Sequence, residues 1–210
     1  MNFFQTLSVY SVLLPLGLGL IIYRYLGTNS RIVIMLLAFA TASQFASLIK
    51  SEGIKWAFYN LYTVIDSLVW TFLFFRNSQK KEIRFFILII SSIVTIWTFA
   101  IYIAQGIDAR FYHELVCLNS VVQVIWVLAF FYERYLSEEV QRLITEPMFW
   151  YSLGLLIYAP CTYFLFAFYH EVHANPAYTN LWLLHNVINS FMYFIFAVGV
   201  FVNLKRASIS

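Results

Sequence analysis

Seven runs of predominantly apolar residues, each close to the 20 or so needed to cross the hydrocarbon core of a bilayer, decide what this chain can fold into. They lie near Leu7–Leu26, Ile32–Ile49, Phe58–Phe75, Phe85–Gln105, Tyr112–Phe131, Met148–Tyr169 and Leu181–Leu204. Such runs are not barrel strands, which would alternate polar and apolar residues over about ten positions. Of 210 residues, 62% are hydrophobic and 11% charged, against about 25% charged in soluble domains. A water-soluble fold could not cover that much apolar surface with so few polar atoms. The expectation is an all-α polytopic membrane protein, one seven-helix transmembrane domain over residues 1–210 with the lipid bilayer around it.

Basic loops stay in the cytoplasm, so the Lys and Arg residues set the direction. Arg24, Arg31, Arg76, Lys80, Lys81, Arg84, Arg134, Arg142, Lys205 and Arg206 fall on one side, and only Lys50, Lys55 and Arg110 on the other. This places the N-terminus outside and the C-terminus inside. The first segment reads as a span and not as a secretory signal, because no basic residue precedes it and Arg24 follows it. The net charge of +3 reflects this asymmetry, and no basic block interleaved with aromatics points to nucleic acid.

All loops are too short for a soluble catalytic domain. In the connection Tyr135–Pro147, Leu136, Val140, Leu143 and Ile144 recur at helical spacing, Ser137 can cap a start and Pro147 stops the run. A short helix on the inner membrane face is expected there. It reads as a solvated connector with an apolar underside, and is also where a signalling partner would dock. Cys117 and Cys161 fall inside helices and read as small buried thiols. Pro15 and Pro160 lie within spans, where neighbours can satisfy a freed carbonyl.

Asp66 stands at the middle of an otherwise apolar span, and a carboxylate at that depth costs about 2.5 to 3.5 kcal/mol on insertion scales. With orientation assigned, other polar residues gather in the same outer half of the membrane: Gln44 and Ser47 on the second span, Tyr158 and Thr162 on the sixth. Residues three, four and seven apart share one helix face. Tyr59, Tyr62, Thr63 and Asp66 form one stripe, Asn119, Gln123 and Trp126 a second, and His185, Asn189 and Tyr193 a third. Each should face the bundle interior, since lipid offers such groups no partner. Amides alone often serve as interhelical glue, whereas an intramembrane acid with an imidazole nearby is a functional candidate or a structural hydrogen-bonded pair. Asp66 and His185 are expected to approach, to share one polar network and to titrate as a coupled unit.

The chain has 22 Phe, 15 Tyr and 6 Trp. Trp56, Trp150 and Trp182, at helix starts, suit interfacial belts, and part of the remainder suggests an aromatic lining for an apolar or amphipathic ligand. Several chemistries are excluded. Retinal binding needs a lysine inside a span, and every lysine lies at a helix end or in a loop. Membrane zinc hydrolases need grouped His ligands; His113, His170 and His173 lie near the surface, and only His185 is well inside a span. HEVH, with His170, Glu171 and His173, is at most a weak surface site. No nucleophile motif of GxSxG type occurs, so no enzyme, cofactor or metal site is expected.

The segments YNLYTVIDSLVWTFLFFR, EPMFWYSLGLLIYAPCTYFLF and LWLLHNVINSFMYFIFAVGVF resemble an uncharacterised family of bacterial seven-helix membrane proteins. Its members are found alone or as the membrane part of sensor histidine kinases, and often carry Glu where this chain has Asp66. The resemblance implies a sensory or receptor-like input module in the bacterial inner membrane. No kinase follows Ser210 here, so output is expected through a partner protein. The reading is a receptor-like protein that binds a small, partly apolar ligand in an outward-facing pocket. Asp66, His185, Asn189, Asn119, Gln123 and Gln44 would anchor its polar end, and Tyr59, Tyr62, Tyr158 and Trp126 would line it. The alternative is a small transporter or proton pathway using Asp66 and His185.

Overall fold

A computed structural model describes residues 3–45, 51–137, 143–169, 171 and 179–207. Among them all regular structure is helical. Helices α1 (Phe3–Ser11) and α2 (Leu13–Ile21) are followed by a 3-10 turn (Tyr23–Tyr25). Then come α3 (Thr28–Phe45), α4 (Glu52–Asn77), α5 (Lys81–Gln105), α6 (His113–Leu136), α7 (Pro147–Ala167) and α8 (Thr179–Ala207). The five helices α4 to α8 are long and apolar enough to cross a membrane. α3 begins with Thr28, Asn29, Ser30 and Arg31, which dilute its apolar character. Ser47, Lys50, Val140, Arg142, His170 and His173 lie outside the described residues, as do the side chains of Lys205 and Arg206.

The first expected span is divided into α1 and α2. Pro15 has no N–H to give the Ser11 carbonyl and its ring crowds that group, so the hydrogen-bond ladder breaks there. Val12 between them keeps helical angles, φ −61° and ψ −28°, which makes this a kink and not a reversal. A second departure concerns Ser137. It was expected to start a surface helix, but α6 runs on to Leu136 and Ser137 closes it, its N–H donating to the Glu133 carbonyl at 3.2 Å. Nothing in the sequence before Ser137 breaks the α6 ladder, so Leu136 belongs to the long helix. Residues 143–145 form one 3-10 turn. Pro147 then takes the first position of α7, where a missing N–H costs nothing.

The helices close a ring: α2 packs on α3, α3 on α4, α4 on α6, α6 on α7, α7 on α8, and α8 on both α1 and α2. α5 lies outside this ring against α4 and α6. It turns Ile89, Ile93, Ile96 and Ile103 outward, the last 85% exposed, an apolar stripe suited to lipid. α7 and α8 approach closely because glycines line the seam. A Cβ on Gly154 would sit 2.7 Å from the Phe196 ring, and one on Gly199 would sit 2.8 Å from the Tyr151 ring. Either would force a large buried ring to move.

Dense packing is concentrated in one half of the ring. Val33, Leu73, Phe74, Val127, Phe130, Tyr151, Phe196 and Val200 form a continuous core toward the end that carries the α4–α5 turn. That end is tied by Glu133, a buried carboxylate accepting hydrogen bonds from Ser78 Oγ at 2.9 Å, Gln79 N at 3.1 Å and Lys80 N at 2.8 Å. It therefore satisfies donors ahead of the α5 N-terminus that no helix carbonyl can reach. The opposite half is hollow.

Candidate functional site

Two cavities occupy the hollow half. The larger, about 420 Å³, lies between α3, α4, α7 and α8 and the α5–α6 loop. Gln44, Tyr59, Tyr62, Tyr158, His185 and Asn189 line it, so six residues singled out in the sequence meet there. Trp56, Phe111, Phe166, Tyr169 and Trp182 complete an aromatic wall. The smaller, about 70 Å³, lies deeper and is lined by Asp66, Asn119, Gln123, Trp70 and Thr162 among others. Tyr62, Thr63, Val116, Tyr158 and Tyr193 border both. The deep chamber is therefore the floor of the wide one, with three tyrosines at the neck.

The carboxylate of Asp66 is held by its own helix and by α6. Trp70, one turn further along α4, donates its indole N–H to Asp66 Oδ1 at 2.9 Å. Asn119 Nδ2 and Gln123 Nε2, one turn apart on α6, donate to Oδ2 at 2.9 and 2.6 Å. The Tyr62 hydroxyl faces the same group. A four-residue spacing on each of two adjacent helices is what lets these donors converge. Trp70 also ties the site to the core, its ring lying 5.8 Å from that of Phe196. Asp66 has no ion-pair partner among the described residues.

His185 does not belong to this hydrogen-bonded cluster. It lies higher, in the wide cavity, with the rings of Tyr158, Phe166 and Trp182 at 5.5, 6.1 and 6.1 Å. Its Nδ1 is buried and has no hydrogen-bond partner. The expected Asp66–His185 network is thus replaced by one made of amides and an indole, and Tyr158 stands between the two residues as a wall of both chambers. The reason is axial. His185 is six residues into α8 and Asp66 fourteen into α4, an offset of about 12 Å at the 1.5 Å helical rise. Tyr193, fourteen residues into α8, is level with the acid.

Trp126 also departs from the expectation. It continues the Asn119–Gln123 stripe but lines neither cavity; it is 1% exposed and packs edge-on against Phe86 of α5 at 6.0 Å. One further turn carries this stripe below the chamber floor. Trp56 and Trp182, expected in interfacial belts, instead turn into the cavity wall. Trp150 donates its indole N–H to the Ile144 carbonyl at 2.9 Å. Cys117 and Cys161 are free and only half-buried. Asn189 lines the wide cavity and donates to Ser8 Oγ at 2.8 Å, fastening α8 to α1.

Sequence reasoning passed over the residue that builds the rim. Asn60, 1% exposed, donates through Nδ2 to the carbonyls of Ile107 and Arg110, both at 2.7 Å, and accepts from Tyr112 N at 3.2 Å. The Tyr102 hydroxyl donates to its carbonyl at 3.1 Å. Gly106, with φ 87°, lets the chain turn into this clasp. The clasp sets Phe111 over the cavity, where its ring meets those of Trp56, Tyr59 and Phe166 at 5.9, 6.2 and 5.5 Å. No group of three or more His, Cys, Asp or Glu side chains among the described residues could hold a metal ion. No family model, curated protein or solved structure matches the chain.

Proposed function

We propose that this chain is a receptor-like protein of the bacterial cytoplasmic membrane, with seven spans, that binds a small, partly apolar ligand from the outer side and signals through a partner. The aromatic cavity of about 420 Å³ above the Asp66 chamber carries this reading. Its size falls within the range of small-molecule sites, about 300–1,000 Å³, and its few polar groups converge at one end, as such sites require. The two remaining spans are the kinked α1–α2 pair and α3, which the ring closes against α8 and α4. The basic loops next to Arg76, Lys80 and Arg84 put the α4–α5 end in the cytoplasm, so the cavity opens outward.

Binding is favoured over passage because the chamber has a packed floor. Trp70, Leu37, Leu155 and Phe196 bound it, each 2 to 3% exposed. A transporter or proton pathway would need a polar continuation there.

Orientation is checked by impermeant thiol labelling. Asp108→Cys, on the exposed α5–α6 loop, should react in intact cells, and Gln79→Cys, on the α4–α5 turn, only after permeabilisation; the reverse pattern would invert the topology. Ligand binding is checked by thermal stabilisation of purified protein across a library of metabolites and lipid headgroups. At least one compound should stabilise it saturably, and Tyr158→Ala, which removes a wall of both chambers, should weaken that compound by about tenfold, the effect of 1.4 kcal/mol. No saturable binding by any compound of the library, organic ammonium ions included, would remove the receptor reading.

A further inference from the structure

We infer that the ligand of this cavity is an organic monocation, an ammonium group on an apolar body, bound with its charge at the tyrosine neck above Asp66. The inference rests on the binding reading and adds to it the charge of what binds. Three N–H groups and one hydroxyl converge on the two oxygens of Asp66. This surrounds the carboxylate as a pure acceptor. Neutral dipoles stabilise its negative charge without cancelling it, and no described Lys, Arg or His is ion-paired with it. In a chamber walled by Leu36, Leu155 and Phe196, the charge acts across a low-dielectric path on whatever enters the neck.

The walls favour the same sign. Trp56, Tyr59, Phe166 and Trp182 line the wide cavity, and Tyr62, Tyr158 and Tyr193 the neck. Ring faces carry the negative end of the aromatic quadrupole, and a cation within about 6 Å of a ring centroid gains roughly 0.5 to 2 kcal/mol, most when desolvated. The spare polar atoms agree. Among the buried polar atoms there without a hydrogen-bond partner, Gln44 Oε1 and Asn119 Oδ1 can only accept, and Ser43 Oγ, Thr162 Oγ1 and His185 Nδ1 can either accept or donate. An anion would meet a carboxylate and two amide oxygens, and a neutral ligand would leave the charge uncompensated. The volume of about 420 Å³ admits an aryl or alkyl body above the ammonium group.

The test compares ammonium ions with their neutral carbon isosteres, benzyltrimethylammonium against neopentylbenzene as the leading pair within a panel of alkyl and aryl members. Binding to purified wild-type protein is measured by saturable thermal stabilisation, then repeated with Asp66→Asn. A cation of the panel should bind at least tenfold more tightly than its isostere, and the ratio should fall to within threefold in Asp66→Asn. The wild-type ratio alone decides the question if the variant does not fold. Equal binding of the pair, or saturable binding only by neutral or anionic library compounds, overturns the monocation and leaves the pocket standing. Binding by nothing in either the panel or the library overturns both.

Discussion

Asp66→Leu should destabilise the bundle by about 3–6 kcal/mol, while Asp66→Asn costs only about 1–2 kcal/mol, both read by thermal unfolding in one detergent. Leucine has nearly the right volume but accepts nothing. It would strand the Trp70 indole N–H, the Asn119 amide and the Gln123 amide, all aimed at one point between α4 and α6. Each buried donor left without a partner costs about 1–3 kcal/mol, reduced where a side chain can turn elsewhere. Trp70 cannot turn, since it is 2% exposed and packed on Phe196 and Phe74. Asparagine differs because its oxygen can keep the Trp70 indole N–H, the donor that cannot turn. Its amide can then face Asn119, whose Oδ1 has no other partner, once that side chain flips. Equal stability of the two variants would mean that the cluster does not hold these helices together, and would weaken the case for a fixed charge beneath the cavity.

The difference between this cluster and the expected Asp66–His185 pair marks where sequence stops being informative. Helix faces were legible: stripes at spacings of three, four and seven put Tyr59, Tyr62, Thr63 and Asp66 on one side of α4, and His185, Asn189 and Tyr193 on one side of α8. Periodicity gives the angle around a helix. It gives depth only through where each helix begins, and an offset of eight residues separates His185 from the acid. Nor does it say which helices are neighbours. α8 meets α7, α1 and α2, and it touches α4 where the Trp70 and Phe196 rings lie 5.8 Å apart. The acid's partners therefore came from α6, whose amides the sequence had marked as interior without assigning them to Asp66. Trp70 was unmarked because an indole in an apolar span reads as bulk; its position four residues after Asp66 was the available signal. Phe111 and Glu133 were illegible for another reason, as both act through loop backbone whose path no periodic pattern encodes.

Asn60 shows that last point most sharply, and it yields the second large effect: Asn60→Ala should cost about 2–4 kcal/mol and lower ligand affinity at the same time. From the sequence Asn60 is one more amide in a span, a residue type that commonly bridges to another helix. It instead serves two carbonyls and one N–H of the α5–α6 loop beside Tyr102 and Tyr112, whose rings lie 5.4 Å apart. Alanine removes all three bonds. Because residues 108–110 are exposed, water can reach some of the freed groups, which is why the expected cost stays below the sum of three unpaired groups. The larger consequence is positional. Without the clasp, Phe111 is no longer held against Trp56, Tyr59 and Phe166, so the wide cavity loses a wall although no lining residue has been changed. Amide hydrogen exchange should then rise across residues 106–112 while α6 below Asn119 stays protected. A variant as stable as wild type, with unaltered exchange in that loop, would show that the rim is held by aromatic packing alone and that Asn60 is dispensable to the site.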